Sequence, residues 1–428
     1  MRCKNRKQNL PTSLIIYIIG IAAFSTGTVI GPSFHQAFLY LGYFGIVVML
    51  GVSLHSFSQG FHQIQREFIL LFLFIVWAVF TGLLMAVDYH SVFRSMERLL
   101  QSFTVAFCVA GASSRLRSPA IGLATLWGIA ILLSSYGLVL GNFMHFMDLS
   151  SDGVGNVVGT RGVSMVQNAN AMGVNAVWGF CAVIYFSQIK KKSPLLLFLM
   201  WITVPLLGIT ILASASRKAL LLPVVFLTAW IWFCHKKDLN RQLYKILPIV
   251  ALAGAIYMAT PWIMENTFVG QRMQRSLDTE NMDGSTAVRL LTYKQAAAIV
   301  VRYPVAGVGL GQWRFYGDTG YAHNEYGEVI ATTGVVGFLL YFSAYVVVIR
   351  RLMRIHRYTN DRIEFFRSGL CLAIFVTIAA AGFGQVMFPS LPYWVLAGSI
   401  WGYAYGAEQR LIACHSTAIG NCRTRRKL

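Results

Sequence analysis

The chain has 428 residues, of which 56% are hydrophobic and 12% charged, with a formal net charge of +20. Soluble domains average about 25% charged residues, and apolar runs long enough to cross a ~30 Å hydrocarbon core recur from end to end. A soluble enzyme is thereby excluded, and the expected class is a single, all-α, polytopic integral membrane domain covering residues 1–428.

Apolar spans are predicted at 13–31, 34–54, 67–87, 97–112, 119–141, 169–187, 194–213, 218–234 and 245–263, with three more at 326–349, 366–388 and 391–407. The first apolar run lacks a small-residue cleavage site and further spans follow, so it reads as a span and not as a signal peptide. Twelve spans place both termini on the same side. The basic start MRCKNRK makes that side cytoplasmic by the positive-inside rule. With this topology the inner segments hold 25 of the 36 basic residues against five of the 16 acids. The outer segments then balance, with 11 of each sign, so the whole excess of positive charge is a topology signal and nucleic acid is not an expected partner. None of the seven cysteines falls in an outer loop, so no disulfide framework is expected.

Two outer loops are long, at about 142–168 and 264–325, and loops of that length usually carry function. The second lies between spans nine and ten. Ser285 is placed to cap a helix running to about Val301, which Pro304 stops. Val288, Leu291, Ala298 and Val301 share one face, the pattern of a helix lying along the membrane surface. Pro304, Gly307, Gly309 and Gly311 then make turns. GVGLG is not a dinucleotide fingerprint, because no strand-turn-helix context surrounds it. No metal-ligand, CxxC or Walker motif appears on the outer side, so neither a metal nor another cofactor is expected, and the substrate must arrive activated.

Four outer-face features carry possible chemistry. Arg217, in SASRKALL, stands at the mouth of the eighth span, where a plain interfacial arginine reaching toward headgroups is the alternative. Arg161, in GTRGVSMVQNANAMG, precedes the sixth span and reads equally as a loop charge. Arg289 lies on the surface helix, with a solvated face as its alternative. His323 is followed by Asn324, with Glu325 and Glu328 near, and reads either as a proton acceptor near neutral pH or as a capping histidine. Three arginines at span mouths on one side suit a diphosphate, since guanidinium gives permanently charged, bidentate contacts to phosphate oxygens. Helix N-termini near 169 and 326 would add dipole support. Asn324, Glu328 and Lys294 are candidate supporting residues.

At these residues the chain resembles the O-antigen ligase and polymerase family of bacterial envelope proteins. The matching pieces are GTRGVSMVQNANAMG (159–173), SASRKALL (214–221), RLLTYKQAAAIVVRYPVAGVGLGQW (289–313) and AHNEYGEVIATTGVVGFL (322–339). The last fits a ligase pattern of His, then Asn, Ser or Gln, nine residues, Gly, two residues and Gly, met by His323, Asn324, Gly334 and Gly337. Where ligases often continue with two threonines, this chain has Phe338 and Leu339. The resemblance implies a membrane-embedded glycosyltransferase of about twelve helices in the bacterial inner membrane, with a periplasmic active site. It implies metal-independent, inverting transfer of a glycan from undecaprenyl diphosphate to lipid A-core. Diphosphate binding would fall to Arg217, Arg289 and Arg161, and the general-base role to His323. Polymerisation onto another lipid-linked unit is the alternative within the family, and a lipid-linked glycan transporter the alternative outside it.

Overall fold

The structure, a computed structural model, describes residues 66–139, 169–188, 194–214, 216–234 and 284–425, with a few isolated positions elsewhere. The expected spans at 13–31, 34–54 and 245–263, the loop 142–168 and Arg161 lie outside the described residues.

Among the described residues the regular structure is helical throughout. The helices are α1 (Arg66–Leu84), α2 (Tyr89–Leu116), α3 (Ala120–Val139), α4 (Ala169–Ser187), α5 (Pro194–Ala213), α6 (Arg217–Cys234), α7 (Gly284–Arg302), α8 (Glu325–Tyr358), α9 (Arg362–Gly382) and α10 (Leu391–Arg425). Seven are long and apolar enough to cross a membrane: α1, α2, α4, α5, α6, α8 and α9. The protein is therefore an all-helical membrane protein. The nine predicted spans within the described residues each fall on one of these helices, and the helix expected from Ser285 to about Val301 is α7, which begins at Gly284, one residue before its expected cap.

Two helices depart from their predicted form. The span expected at 97–112 is the interior of α2, which starts at Tyr89 because Asp88 caps it, accepting from His90 N at 3.1 Å and Ser91 N at 3.3 Å. Its length, about 42 Å at 1.5 Å per residue, exceeds a ~30 Å hydrocarbon core, so its first turns stand outside the core. The span expected at 326–349 is broken. Gly334 has φ 65° and ψ −173°, and α8 is two helices, 325–333 and 335–358. The Tyr341 hydroxyl donates to Glu325 Oε1 at 2.7 Å, although a straight helix would hold their Cα atoms about 24 Å apart. The short segment therefore folds back along the long one, and the Tyr326 and Phe342 rings stack 5.3 Å apart.

The bundle is closed by two devices. Gly398, Gly402 and Gly406 of α10 form a stripe at every fourth residue against Ala106, Ala110 and Ser114 of α2. A Cβ at these glycines would lie 2.3, 2.0 and 2.4 Å from the carbonyl oxygens of those three residues. Backbones meet this closely only where side chains are absent, which is how helices gain dispersion contact when hydrophobic driving force is lacking in lipid. At the end of the bundle where α1 begins and α8 ends, Arg351 joins Glu67 of α1 and Glu408 of α10, the latter at 2.6 Å. Arg354 also reaches Glu408 at 2.6 Å, and Arg410 reaches Glu364 of α9 at 2.7 Å. These six charged residues lie at one end, and the ends of α1 and α9 and the starts of α2, α6, α8 and α10 sit at the other.

Gly402→Val is expected to separate α2 from α10. The folded fraction recovered from membranes and the thermal midpoint should fall sharply, while Gly208→Val, at a glycine facing open space, should leave both near the parent values.

Candidate functional site

The site begins with the break in α8. Without a continuous helix at Gly334, the Ala331 carbonyl and the Val335 amide lose each other as partners. The Pro304–Gly311 loop replaces them: Val308 N donates to Ala331 O at 2.9 Å, Gly309 N to Thr332 O at 2.9 Å, and Val335 N to Pro304 O at 2.8 Å. Glycine is required on both sides of this contact. A Cβ at Gly334 would lie 2.0 Å from Val305 O, and one at Gly307 2.5 Å from Ala331 O, with both residues at positive φ. Trp77 of α1 adds a 2.8 Å hydrogen bond from its indole to Thr333 O.

The loop in turn holds α2. Gln312 is fully buried. Its Oε1 accepts from Val87 N at 2.8 Å and Asp88 N at 3.1 Å, and its Nε2 donates to Asp88 O at 3.0 Å. Arg314 pairs with Asp88 at 2.5 Å. Helix α7 covers the loop through Ala296 and Ile299, which pack with Val308, Trp313, Ala322 and Ala331. The apolar stripe expected of α7 is a different face: Val288, Leu291 and Val301 remain exposed. Arg217 Nη2 donates to Thr286 Oγ1 at 3.0 Å, tying the start of α6 to α7.

His323 sits where this loop enters the short helix. Its φ is 56°, a left-handed conformation that costs a non-glycine residue energy and persists only when its surroundings fix it. Those surroundings are specific. Asn324, and not His323, caps the helix, its Oδ1 accepting from Tyr326 N at 2.8 Å and Gly327 N at 3.4 Å. Glu328 Oε2 accepts from Ala322 N at 2.6 Å, fixing the residue before the histidine. The imidazole is half-buried, lies 4.0 Å from the Tyr321 ring between centroids, and has no hydrogen-bond partner among the described residues. Burial lowers its pKa below the ordinary value near 6.5, and the charges of Arg289 and Lys218 lower it further. Both effects favour the neutral ring, the form able to accept a proton.

A pocket of about 430 Å³ opens beside it. One wall is the start of α2, where Ser91, Arg94, Ser95 and Arg98 form a stripe at helical spacing. Lys218 of α6, Arg289 of α7 and the α9–α10 connection make another. Lys218 Nζ donates to Gly384 O at 2.9 Å and Gln385 Oε1 at 2.8 Å. That connection is anchored by Glu325, whose Oε2 accepts from Met387 N and, at 3.2 Å, from Phe388 N. Five cations line the pocket against one carboxylate, Glu328. Of the five, Arg314 alone has a carboxylate partner among the described residues. No three His, Cys, Asp or Glu side chains converge as metal ligands among the described residues.

Of the residues singled out from sequence, Arg289, His323 and Glu328 share this pocket, and Asn324 supports it from the helix cap. Arg217 stands one residue from the lining Lys218 without lining the pocket itself. Lys294 is exposed on α7 and does not line it. Sequence reasoning missed Arg94, Arg98, Lys218 and Gln312. A signal existed for the first pair, two arginines four residues apart on a stripe with two serines, but it was obscured by treating the residues before 97 as loop.

Fold and site together define a polytopic helical membrane protein with a cation-lined pocket at the ends of its helices. Residues 201–342 match the protein-family model described as O-antigen ligase (Wzy_C). The match runs from α5 into the long half of α8 and includes Lys218, Arg289 and His323. No match to a curated protein was found.

The electrostatic setting of His323 is open to direct measurement. Modification by diethyl pyrocarbonate, which attacks the neutral imidazole, should give a midpoint for His323 below 6.5 once the His323→Ala background is subtracted. Arg289→Gln, which removes a neighbouring positive charge, should move that midpoint upward. A wild-type midpoint above 6.5 would contradict the assigned environment.

Proposed function

We propose that this protein is a glycosyltransferase of the ligase type, moving a glycan from undecaprenyl diphosphate to a hydroxyl of lipid A-core on the periplasmic face of the bacterial inner membrane. The observation that carries this reading is the presence, in one pocket, of a half-buried imidazole without a hydrogen-bond partner among the described residues and of the cations Arg289 and Lys218, neither of which meets a carboxylate among the described residues. The match of residues 201–342 to the O-antigen ligase family model supports lipid-linked glycans as the substrate class.

The chemistry follows from those groups. Arg289 holds the donor diphosphate. Arg217 fixes the helix that carries Arg289 through Thr286, and Arg161 is the further arginine assigned to the diphosphate. His323 accepts the proton of the acceptor hydroxyl as its oxygen attacks the anomeric carbon. The bond from that carbon to the diphosphate oxygen breaks, its electron pair leaves with the diphosphate, and the anomeric centre inverts. The charge that grows on the leaving oxygen is stabilised by cations already in place, which is the largest contribution a preorganised site makes. Protein cations serve this purpose, so the reaction is assigned as metal-independent. Glu328 and Asn324 act by holding the histidine backbone in place.

His323→Ala and Arg289→Ala should each abolish glycan transfer, a loss of at least about 100-fold for a general base, while membrane insertion and yield stay normal; full activity of both in cells would sink the assignment. Deletion of the gene should strand long polymer on the lipid carrier. Accumulation of single repeat units instead would identify a polymerase, the other activity compatible with the family.

A further inference from the structure

The pocket holds more positive charge than one diphosphate needs, and the charge comes in two groups. Arg289 and Lys218 converge over Gly384: a Cβ built there would lie 3.3 Å from Lys218 Cδ and 3.9 Å from Arg289 Nη1. These are the two cations that act on the His323 imidazole. Arg94 and Arg98 enter from α2, are exposed, and line the same pocket. They are accompanied by the hydroxyl of Ser95, while the Ser91 hydroxyl donates to Asp88 Oδ2 at 2.6 Å. Among the described residues neither arginine is paired with a carboxylate; the partner of Arg94 is His90, whose Nε2 lies 2.9 Å from Arg94 Nη2. The arginines are held in position from behind, because Gln312 and Arg314 clamp the start of α2 to the loop that carries His323. Like charges four residues apart on a helix repel, so the pair costs stability that an anionic ligand would recover.

We propose that Arg94, Arg98 and Ser95 form a second anion subsite, which binds a phosphate or carboxylate on the acceptor saccharide and presents its hydroxyl to His323. This rests on the reading of the pocket as a glycosyltransferase site with the donor diphosphate at Arg289. The acceptor is then an acidic saccharide, and its affinity depends on its charge. The subsite lies outside residues 201–342, so acceptor choice is set by a part of the chain distinct from the segment that carries Arg289 and His323.

Equilibrium binding to the full chain in nanodiscs tests this with three probes: undecaprenyl diphosphate, lipid A-core bearing its phosphates, and the same lipid A-core after phosphatase treatment. The wild type should bind phosphorylated lipid A-core at least about tenfold tighter than the dephosphorylated form, as expected for charge-assisted contacts. Arg94→Gln with Arg98→Gln should erase that preference and leave undecaprenyl diphosphate binding unchanged. Arg94→Lys with Arg98→Lys should retain part of the preference. Loss of undecaprenyl diphosphate binding in the Gln variant would move the pair to the donor site and overturn the proposal. Equal wild-type affinity for the two lipid A-core forms, or affinity for neither, would also overturn it. Failure of the wild type to bind undecaprenyl diphosphate would instead count against the donor assignment.

Discussion

A membrane helix can be broken only where something else satisfies the backbone groups the break releases, since the hydrocarbon core offers no water to do so. The break at Gly334 meets that requirement with the 304–311 loop, which donates from Val308 and Gly309 and accepts at Pro304. Everything at the site depends on this exchange. It lets residues 325–333 fold back along 335–358 and places His323 at the mouth of the bundle. It also fixes the loop whose Gln312 grips the start of α2. A single backbone conformation at one glycine thus sets the relative positions of α1, α2, α7 and α8 around the pocket.

The same exchange gives physical content to the spacing of His323, Asn324, Gly334 and Gly337. Asn324 starts the short helix, nine residues fill its length, and Gly334 ends it. Gly337 lies against Thr333 and Trp77, within 2.2 and 3.2 Å of where its Cβ would be. The pattern was legible in sequence as a motif, but its meaning was not. Hydropathy sees only that 326–349 is apolar, and an apolar helix that reverses direction has the same composition as one that continues. Span positions were legible for the complementary reason, that a long apolar run has few ways to satisfy its backbone in lipid. The start of α2 was lost because Arg94 and Arg98 read as polar flank, while the capping geometry at Asp88 extends the helix through them.

Charge is distributed between the two ends of the bundle in different ways. Where α1 begins, Glu67, Glu364 and Glu408 each meet at least one arginine. Pairing there links α1, α8, α9 and α10, and breaking one such pair would leave an uncompensated charge in a poorly solvated place. At the pocket end the carboxylates are occupied otherwise. Glu325 and Glu328 serve backbone amides, Asp88 caps a helix and takes Arg314, and Asn324 caps another. Among the described residues the other four cations of the pocket, Arg94, Arg98, Lys218 and Arg289, meet no carboxylate.

That division explains why the acids at the pocket are glutamates facing inward and not partners for Arg289. A carboxylate on Arg289 or Lys218 would neutralise the field that favours an anion and would raise the pKa of His323, opposing its neutral form. By committing Glu328 to Ala322 N and Glu325 to Met387 N and Phe388 N, the fold uses its negative charge to position backbone and keeps the pocket electropositive. The positive-inside asymmetry then refers to two separate populations of cation. At the far end Arg351, Arg354 and Arg410 form structural ion pairs, while among the described residues Arg94, Arg98, Lys218 and Arg289 at the pocket meet no carboxylate, so the net charge of zero that charge counting gives the outer segments would have hidden the local field.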